Sequence, residues 1–256
     1  MELKIDTLVL EVTRRCNMCC VHCLRGDAEG MDADPALIPR IFEGVTEVDR
    51  LVFTGGEPAL NVPYIKAVTD YVLSHGIQVH GCFIATNAKV YSQEMVDCVR
   101  RLYEADFVGP ERTVSASRWL KLQGGEAEYG ELFSIAVSAD SFHEAVPVKN
   151  LARYYACGFF SNDKVSGDRE YVLARGRGAG VYGSYERGIS HLSILDADED
   201  TIQVEQLYVA SNGVVVCDCD LAFEDIDART EEFGYLGTVG EEDSLASLMV
   251  KEAVEV

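Results

Sequence analysis

The chain has 256 residues, with 22 Lys+Arg against 43 Asp+Glu and a formal net charge of −21. An apolar share of 48% with 25% charged residues is ordinary for a globular protein and excludes disorder, collagen or coiled coil as a description of the whole. The negative charge argues against binding a phosphate backbone, so no nucleic-acid partner is expected. No stretch nears the roughly 18 uninterrupted apolar residues of a membrane helix, so no membrane partner is expected.

Met1 to Val12 carries acids within its apolar run and no small-residue cleavage site, so no export signal is expected. Cytoplasmic residence and reduced thiols follow as expectations. Leu8 to Thr13 is a candidate buried strand. Asp34-Pro35 reads as an N-cap and first helical residue, followed by Ile38, Ile41, Phe42 and Val45 at helical spacing, with Pro39 out of keeping. Arg50 to Phe53 is a short strand that stops at Gly55-Gly56. Pro63 opens a helix with Ile65, Val68, Val72 and Leu73 on one face and a stop at Gly76. Ile77 to Ala85 reads as a third strand, and Ser92 caps a helix carrying Met95, Val96, Val99 and Leu102. Phe133 to Ala139 is another strand, and Pro147 to Tyr155 begins another helix. Alternating strands and helices predict an α/β fold with a parallel sheet or barrel.

The stretch from Tyr103 to Glu131 breaks that rhythm and reads as an insertion or long loop. After residue 190 the pattern becomes hairpin-like, with short strands at Leu192–Leu195, Gln206–Ala210 and Val214–Asp218 and a turn at Ser211-Asn212-Gly213. Residues 192–256 also hold 17 acids against Arg229 and Lys251. The expected organisation is therefore a core over 1–190 and a small, acidic, β-rich extension over 191–256.

Four of the nine cysteines lie within eight residues, in Cys16-Asn17-Met18-Cys19-Cys20-Val21-His22-Cys23. That density suits metal ligation. Two spacings run through it. Cys16-x2-Cys19 abutting Cys20-x2-Cys23 would be a zinc pattern, although the two ligand pairs of a structural zinc normally come from separate segments. Cys16-x3-Cys20-x2-Cys23 offers three thiolates, which would hold three irons of a cubane cluster and leave the fourth open.

The second spacing resembles that of the radical S-adenosylmethionine (SAM) superfamily. Cys16, Cys20 and Cys23 match its CxxxCxxC loop after a first strand, and Thr54-Gly55-Gly56-Glu57-Pro58 resembles its GGEP motif at the end of the second. The resemblance implies a partial (β/α)6 barrel with its site at the C-terminal strand ends. It implies a [4Fe-4S] cluster on Cys16, Cys20 and Cys23, and SAM on the open iron. His22 would lie against the adenine, Gly55 and Gly56 would let backbone approach the ligand, and Glu57 would accept from the methionyl ammonium. Asn87, Ser138 and Asp140 at later strand ends, and Arg177 in a Gly-Arg segment, are further candidates for cofactor contact. The implied activity is reductive cleavage of SAM to a 5′-deoxyadenosyl radical that takes a hydrogen atom from a peptide or small-molecule substrate. An electron donor such as a flavodoxin or ferredoxin is the implied partner. A glycyl-radical activase and a non-catalytic zinc or iron–sulfur module are the alternatives.

The tail around Leu207-Tyr208-Val209 and Val214 to Asp218 resembles the C-terminal extension of peptide-modifying relatives, where further cysteines bind auxiliary clusters. Here only Cys217 and Cys219 are present. They read as inert thiols, as partial ligands of a second metal centre, or as a catalytic thiol. Cys82 and Cys98 read as core, Cys19 as a bystander of the cluster, and His143 as near the site.

Overall fold

The computed structural model describes residues 1–108, 132–139, 142–161 and 172–255. Strands β1 (Glu2–Thr13), β2 (Val45–Gly55), β3 (Gln78–Val79), β4 (Cys82–Thr86), β5 (Phe133–Val137) and β6 (Phe160–Ser161) come first. The later strands are β7 (Ile194–Ala197), β8 (Thr201–Val209), β9 (Val214–Val216) and β10 (Tyr235–Thr238). The helices are α1 (Ile38–Phe42), α2 (Val62–His75), α3 (Gln93–Val108), α4 (Val148–Tyr155), α5 (Phe223–Ala228) and α6 (Leu245–Glu255). All ten strands join one sheet in the order β10-β9-β8-β1-β2-β4-β5-β6, with β3 beside β2 and β7 beside β8. From β8 to β6 every pairing is parallel, so the α/β expectation holds, as an open sheet.

β1 is central, and its second half is buried on both faces, as a parallel strand covered on each side must be. Leu8 and Leu10 enter the main core with Phe53, Ile84 and Ile135. Val9 points the other way, into a smaller cluster with Tyr208, Val214, Val216, Leu221 and Ile226. Period-two alternation puts Glu11 on that second side as well.

Local signals behave as their chemistry dictates. Asp34 accepts from the Ala36 N–H at 2.9 Å and caps a 3₁₀ turn, Pro35–Leu37, that runs into α1. Pro39 is accommodated because it falls in the first turn of α1, where a proline costs no helical hydrogen bond. Val45 belongs to β2, because Glu43 is extended and ends the helix. Gly76 ends α2 in the left-handed region at φ 67°. Ser92 Oγ accepts from the Met95 N–H at 3.1 Å at the start of α3.

The predicted third strand is divided into β3 and β4 at His80-Gly81. At Gly81 the backbone runs tightly between neighbouring chains: a Cβ there would lie 2.9 Å from the Leu132 carbonyl oxygen. The first part of the predicted insertion, Tyr103 to Val108, belongs to α3; residues 109–131 lie outside the described residues.

The β-rich expectation for 191–256 is met by β7 to β10, and these strands extend the main sheet. β8 lies parallel to β1, with Leu8 opposite Leu207 and Leu10 opposite Val209. A buried ion pair reinforces this seam. Arg14 Nε donates to Glu11 Oε1 at 2.9 Å with both side chains fully buried. Glu11 also accepts from Tyr208 Oη at 2.6 Å and from the Ser211 hydroxyl at 2.6 Å. Arg14 reaches Glu29 at 2.9 Å and grips Asp227 with two nitrogens at 2.6 and 2.9 Å. Phe223 lies 4.7 Å beneath its guanidinium.

Removing one partner from such a pair strands a buried charge. Glu11→Ala is therefore expected to cost about 3–5 kcal/mol, read as a lower midpoint in urea unfolding. The hydrogen bond from Arg14, despite some burial, holds the Asp227 carboxyl below the usual aspartate range. Its stabilising contribution is full above the ordinary aspartate value and is lost as pH falls through the lower folded value. Asp227→Asn should flatten that acid limb of the stability–pH profile.

Candidate functional site

The cysteine segment is a long excursion at the C-terminal end of β1, closed at its neck. Thr13 Oγ1 donates to Asp32 Oδ1 at 2.6 Å, the Arg14 N–H to the Met31 carbonyl at 2.8 Å and the Ala33 N–H to the Val12 carbonyl at 3.1 Å. Beyond this neck the loop is anchored on three sides.

Gly55 and Gly56 form the first side. The Gly56 N–H donates to the Thr13 carbonyl at 2.7 Å, and the Glu57 N–H to the Arg15 carbonyl at 2.8 Å. A Cβ on Gly56 would lie 2.3 Å from the Arg15 carbonyl oxygen, so only glycine lets the two strand ends meet. The close approach seen at this motif is therefore between two pieces of chain.

The Gly-Arg segment is the second side. Gly176 has φ +51° and would place a Cβ 2.5 Å from the Leu24 carbonyl oxygen. The Arg177 N–H donates to the Cys23 carbonyl at 3.0 Å. Arg177 Nη1 lies 2.7 Å from Cys19 Sγ, while the buried Arg177 Nε has no acceptor among the described residues.

The C-terminal region is the third side. Arg25 is buried, donates to the Leu221 carbonyl at 2.6 Å and stacks 4.8 Å above the Tyr208 ring.

Glu57 is 1% exposed, and its carboxylate ties β2 to β4. Oε1 accepts from the Thr86 hydroxyl at 2.6 Å and the Ala59 N–H at 3.0 Å; Oε2 accepts from the Asn87 N–H at 2.7 Å. Burial pushes this carboxyl up while the three donors pull it back. Asn87 in turn donates to Asn17 Oδ1 at 2.8 Å, and the same nitrogen lies 3.8 Å from Cys16 Sγ. Cys16 and Cys23 lie close enough to interact electrostatically, and burial pushes the Cys16 thiol up.

His22 packs against the loop after β5, with ring centroids 4.9 Å from Phe142 and 4.7 Å from His143. The Ser138 N–H donates to the Thr86 carbonyl at 2.8 Å. Asp140 lies outside the described residues. Gly55, Gly56, Glu57, Asn87 and Arg177 thus meet the loop that carries Cys16, Cys20, His22 and Cys23, whereas Ser138 bonds to Thr86 at the end of β4.

The four clustered thiols are not equivalent. Cys19 is exposed, whereas Cys16, Cys20 and Cys23 are half-buried, and Arg177 lies close to both Cys19 and Cys23. The groups of three metal-ligating atoms lying within 4.8 Å of one another among the described residues are elsewhere: Glu47, Asp49 and His80, and Asp218, Cys219 and Asp220. Thiolates on one zinc ion at about 2.3 Å would sit about 3.8 Å apart. A cubane spreads its ligands over separate irons. Cys16, Cys20 and Cys23 are not among those groups, and a carboxamide and a guanidinium lie beside the thiol set.

Cys217 and Cys219 do not join this set. β9 ends at Val216, and both residues sit in the turn that follows. Cys217 Sγ donates to the Ser190 carbonyl at 3.0 Å, and burial pushes its thiol up to about 11. Burial also pushes up Cys219. Asp218, beside them, accepts from the Ser190 N–H at 2.7 Å, and Arg187 pairs with Asp218 and Asp220.

Sequence reasoning missed Arg14, Arg25 and Asn17, which position the loop. Their partners, apart from Glu11 and Glu29, are 70 or more residues away, and the only local hint was charge flanking an apolar strand.

No family model matches the sequence. An uncharacterized protein of Methanocaldococcus jannaschii is 28% identical over 99 residues, which span 37% of this chain and 35% of that protein. Among solved structures, anSMEcpe with bound AdoMet is similar with a TM-score of 0.45 and 13% identity, over 96% of this chain and 80% of that one. Streptococcus suis SuiB bound to its precursor peptide SuiA is similar with a TM-score of 0.37 and 13% identity, over 85% of this chain and 60% of that one. The chain thus spans about a third of the curated relative it matches.

Glu57→Ala would leave three buried donors without an acceptor, each worth about 1–3 kcal/mol when stranded. Its unfolding midpoint in denaturant should fall by the equivalent of about 3 kcal/mol or more. Glu57→Gln, which keeps one acceptor oxygen, should fall less.

Proposed function

We propose that this chain is a radical SAM enzyme, with Cys16, Cys20 and Cys23 holding a [4Fe-4S] cluster. The observation that carries this reading is the seating of the CxxxCxxC loop. It leaves the end of the central parallel strand and docks on the GGEP segment at the end of the neighbouring strand. Reductive cleavage of the sulfonium carbon–sulfur bond of SAM is the chemistry such a cluster supplies when bound.

The chain's own residues supply placement. Arg177 and Asn87 put donors beside the thiol set and so favour the deprotonated, ligating sulfurs. His22, with Phe142 and His143 against it, offers an aromatic wall for the adenine. Glu57 holds the two strand ends at one level and keeps one lone-pair position for an ammonium. Ser138, just past the end of β5, is a further polar candidate for cofactor contact, and Asp140 is proposed from the sequence alone.

The substrate in this reading is a peptide or small metabolite from which a hydrogen atom is removed. The crystal structures of SuiB and native anSMEcpe hold peptides. The electron comes from a flavodoxin- or ferredoxin-type donor, and the setting is the cytoplasm. No helix among the described residues is long and apolar enough to cross a membrane.

The test is anaerobic reconstitution followed by reduction with dithionite in the presence of SAM. About four irons per chain and release of 5′-deoxyadenosine are expected. Cys16→Ala should abolish both, Cys19→Ala should spare both, and Cys217→Ser with Cys219→Ser should leave the iron count unchanged. A colourless, zinc-loaded protein that releases no 5′-deoxyadenosine would establish a binding module instead.

A further inference from the structure

The other end of β2 carries a second group of ligating side chains. Glu47 and Asp49 lie two apart on β2 and so project from the same face. The short strand β3 pairs with β2 at Glu47 and Val48, and the His80 N–H donates to the Val48 carbonyl at 3.0 Å. This pairing delivers the His80 side chain beside the two carboxylates. Six residues of extended strand separate Asp49 from Gly55, about 20 Å, so this group is remote from the cysteine loop.

His80 is 5% exposed, and both of its ring nitrogens face carboxylates. Nδ1 lies 2.8 Å from Asp106 Oδ1, from the last turns of α3. Nε2 lies 3.2 Å from Glu47 Oε1. The other oxygen of Glu47 faces Lys4 Nζ at 3.4 Å, so Oε1 is left to the imidazole. A neutral ring that donates Nδ1–H to Asp106 turns a bare Nε2 lone pair towards an anionic oxygen. Two acceptors at that distance need a positive charge between them: a proton on Nε2, or a metal ion.

A proton bridge involves only two atoms. Here Asp49 also places a carboxylate oxygen within 4.8 Å of a ligating atom of Glu47 and one of His80. Nitrogen and oxygen ligands about 2.1 Å from a tetrahedral ion stand about 3.4 Å apart, close to the separation observed between Nε2 and Oε1. Asp106 also occupies the place of the outer carboxylate that orients a metal-bound histidine and raises its basicity. We propose that Glu47, Asp49 and His80 form a binding site for a first-row divalent cation, with Asp106 as the positioning residue behind His80. One imidazole and two carboxylates, without a thiolate, suit Mn²⁺, Fe²⁺ or Zn²⁺.

Mn²⁺, which the thiol loop binds poorly, is the probe; its free concentration is followed by electron paramagnetic resonance during titration of the full chain. One equivalent should bind at least tenfold more tightly to the native chain than to His80→Gln, and Zn²⁺ should displace it. Asp106→Asn, which touches no ion directly, should weaken binding by about 10–100-fold. Asp49→Asn takes the place of His80→Gln if that variant fails to fold. Glu241→Gln, in the acidic tail, controls for diffuse attraction and should bind as the native chain does. Equal Mn²⁺ binding by the native chain and the site variants would overturn the proposal, as would a loss in Glu241→Gln matching that in Asp49→Asn.

Discussion

The ion pair between Glu11 and Arg14 is the constraint on which the arrangement depends. Two fully buried charges cost several kcal/mol each to desolvate, and their mutual attraction offsets this only when the remaining donors and acceptors are also filled. Tyr208 and Ser211 fill them for Glu11; Glu29 and Asp227 fill them for Arg14. These partners come from β8, the turn after it, the cysteine loop and α5. The charges are therefore satisfied only when the C-terminal strands lie against β1 and the loop has closed at its neck. A hydrophobic seam alone would tolerate a shift in register; a buried guanidinium needing three carboxylates does not.

That dependence gives the C-terminal residues a role that composition concealed. Their acidity reads as solvated surface, and for most of the 17 acids after residue 191 that reading suffices. Asp227 and Asp225 are different: the first takes the bidentate grip of Arg14, and the second faces Arg175 at 3.3 Å, next to Gly176. The loop with Cys16, Cys20 and Cys23 is thus held from below by Arg14 and Arg25, whose partners other than Glu11 and Glu29 lie beyond residue 200, and from the side by a glycine segment whose first arginine is paired to the same helix.

What was legible in the sequence was local. Asp34-Pro35, Pro63, Gly76 and Ser92 punctuate the chain where their backbone chemistry requires, and the parallel α/β character follows from the alternation they mark. Non-local pairing was not legible. Glu11 looked like a polar interruption of an apolar strand, because nothing nearby indicates that Tyr208 and Ser211 will meet it. Val214 to Asp218 read as one strand. The strand in fact stops at Val216, and Cys217 packs beneath Gly234, where a Cβ would lie 2.4 Å from its sulfur. A tight tertiary contact of that kind leaves no periodic trace.

The two spacings through the cysteine cluster cannot be separated by counting residues, and the surroundings of the sulfurs differ from one to the next. A pattern of two abutting pairs would treat Cys19 and Cys20 alike. Instead Cys19 is exposed, with its sulfur against the Arg177 guanidinium. Cys16, Cys20 and Cys23 are half-buried, and Cys16 has the Asn87 amide beside it. A guanidinium presents a rigid fork of donors and keeps its charge at any accessible pH, and Arg177 lies close to both Cys19 and Cys23. Of the other three, Cys16 lies beside Asn87, and the Cys23 carbonyl accepts from the Arg177 N–H. The same hydrogen bonds that seat the loop on β2 and β4 therefore also fix the surroundings of Cys16.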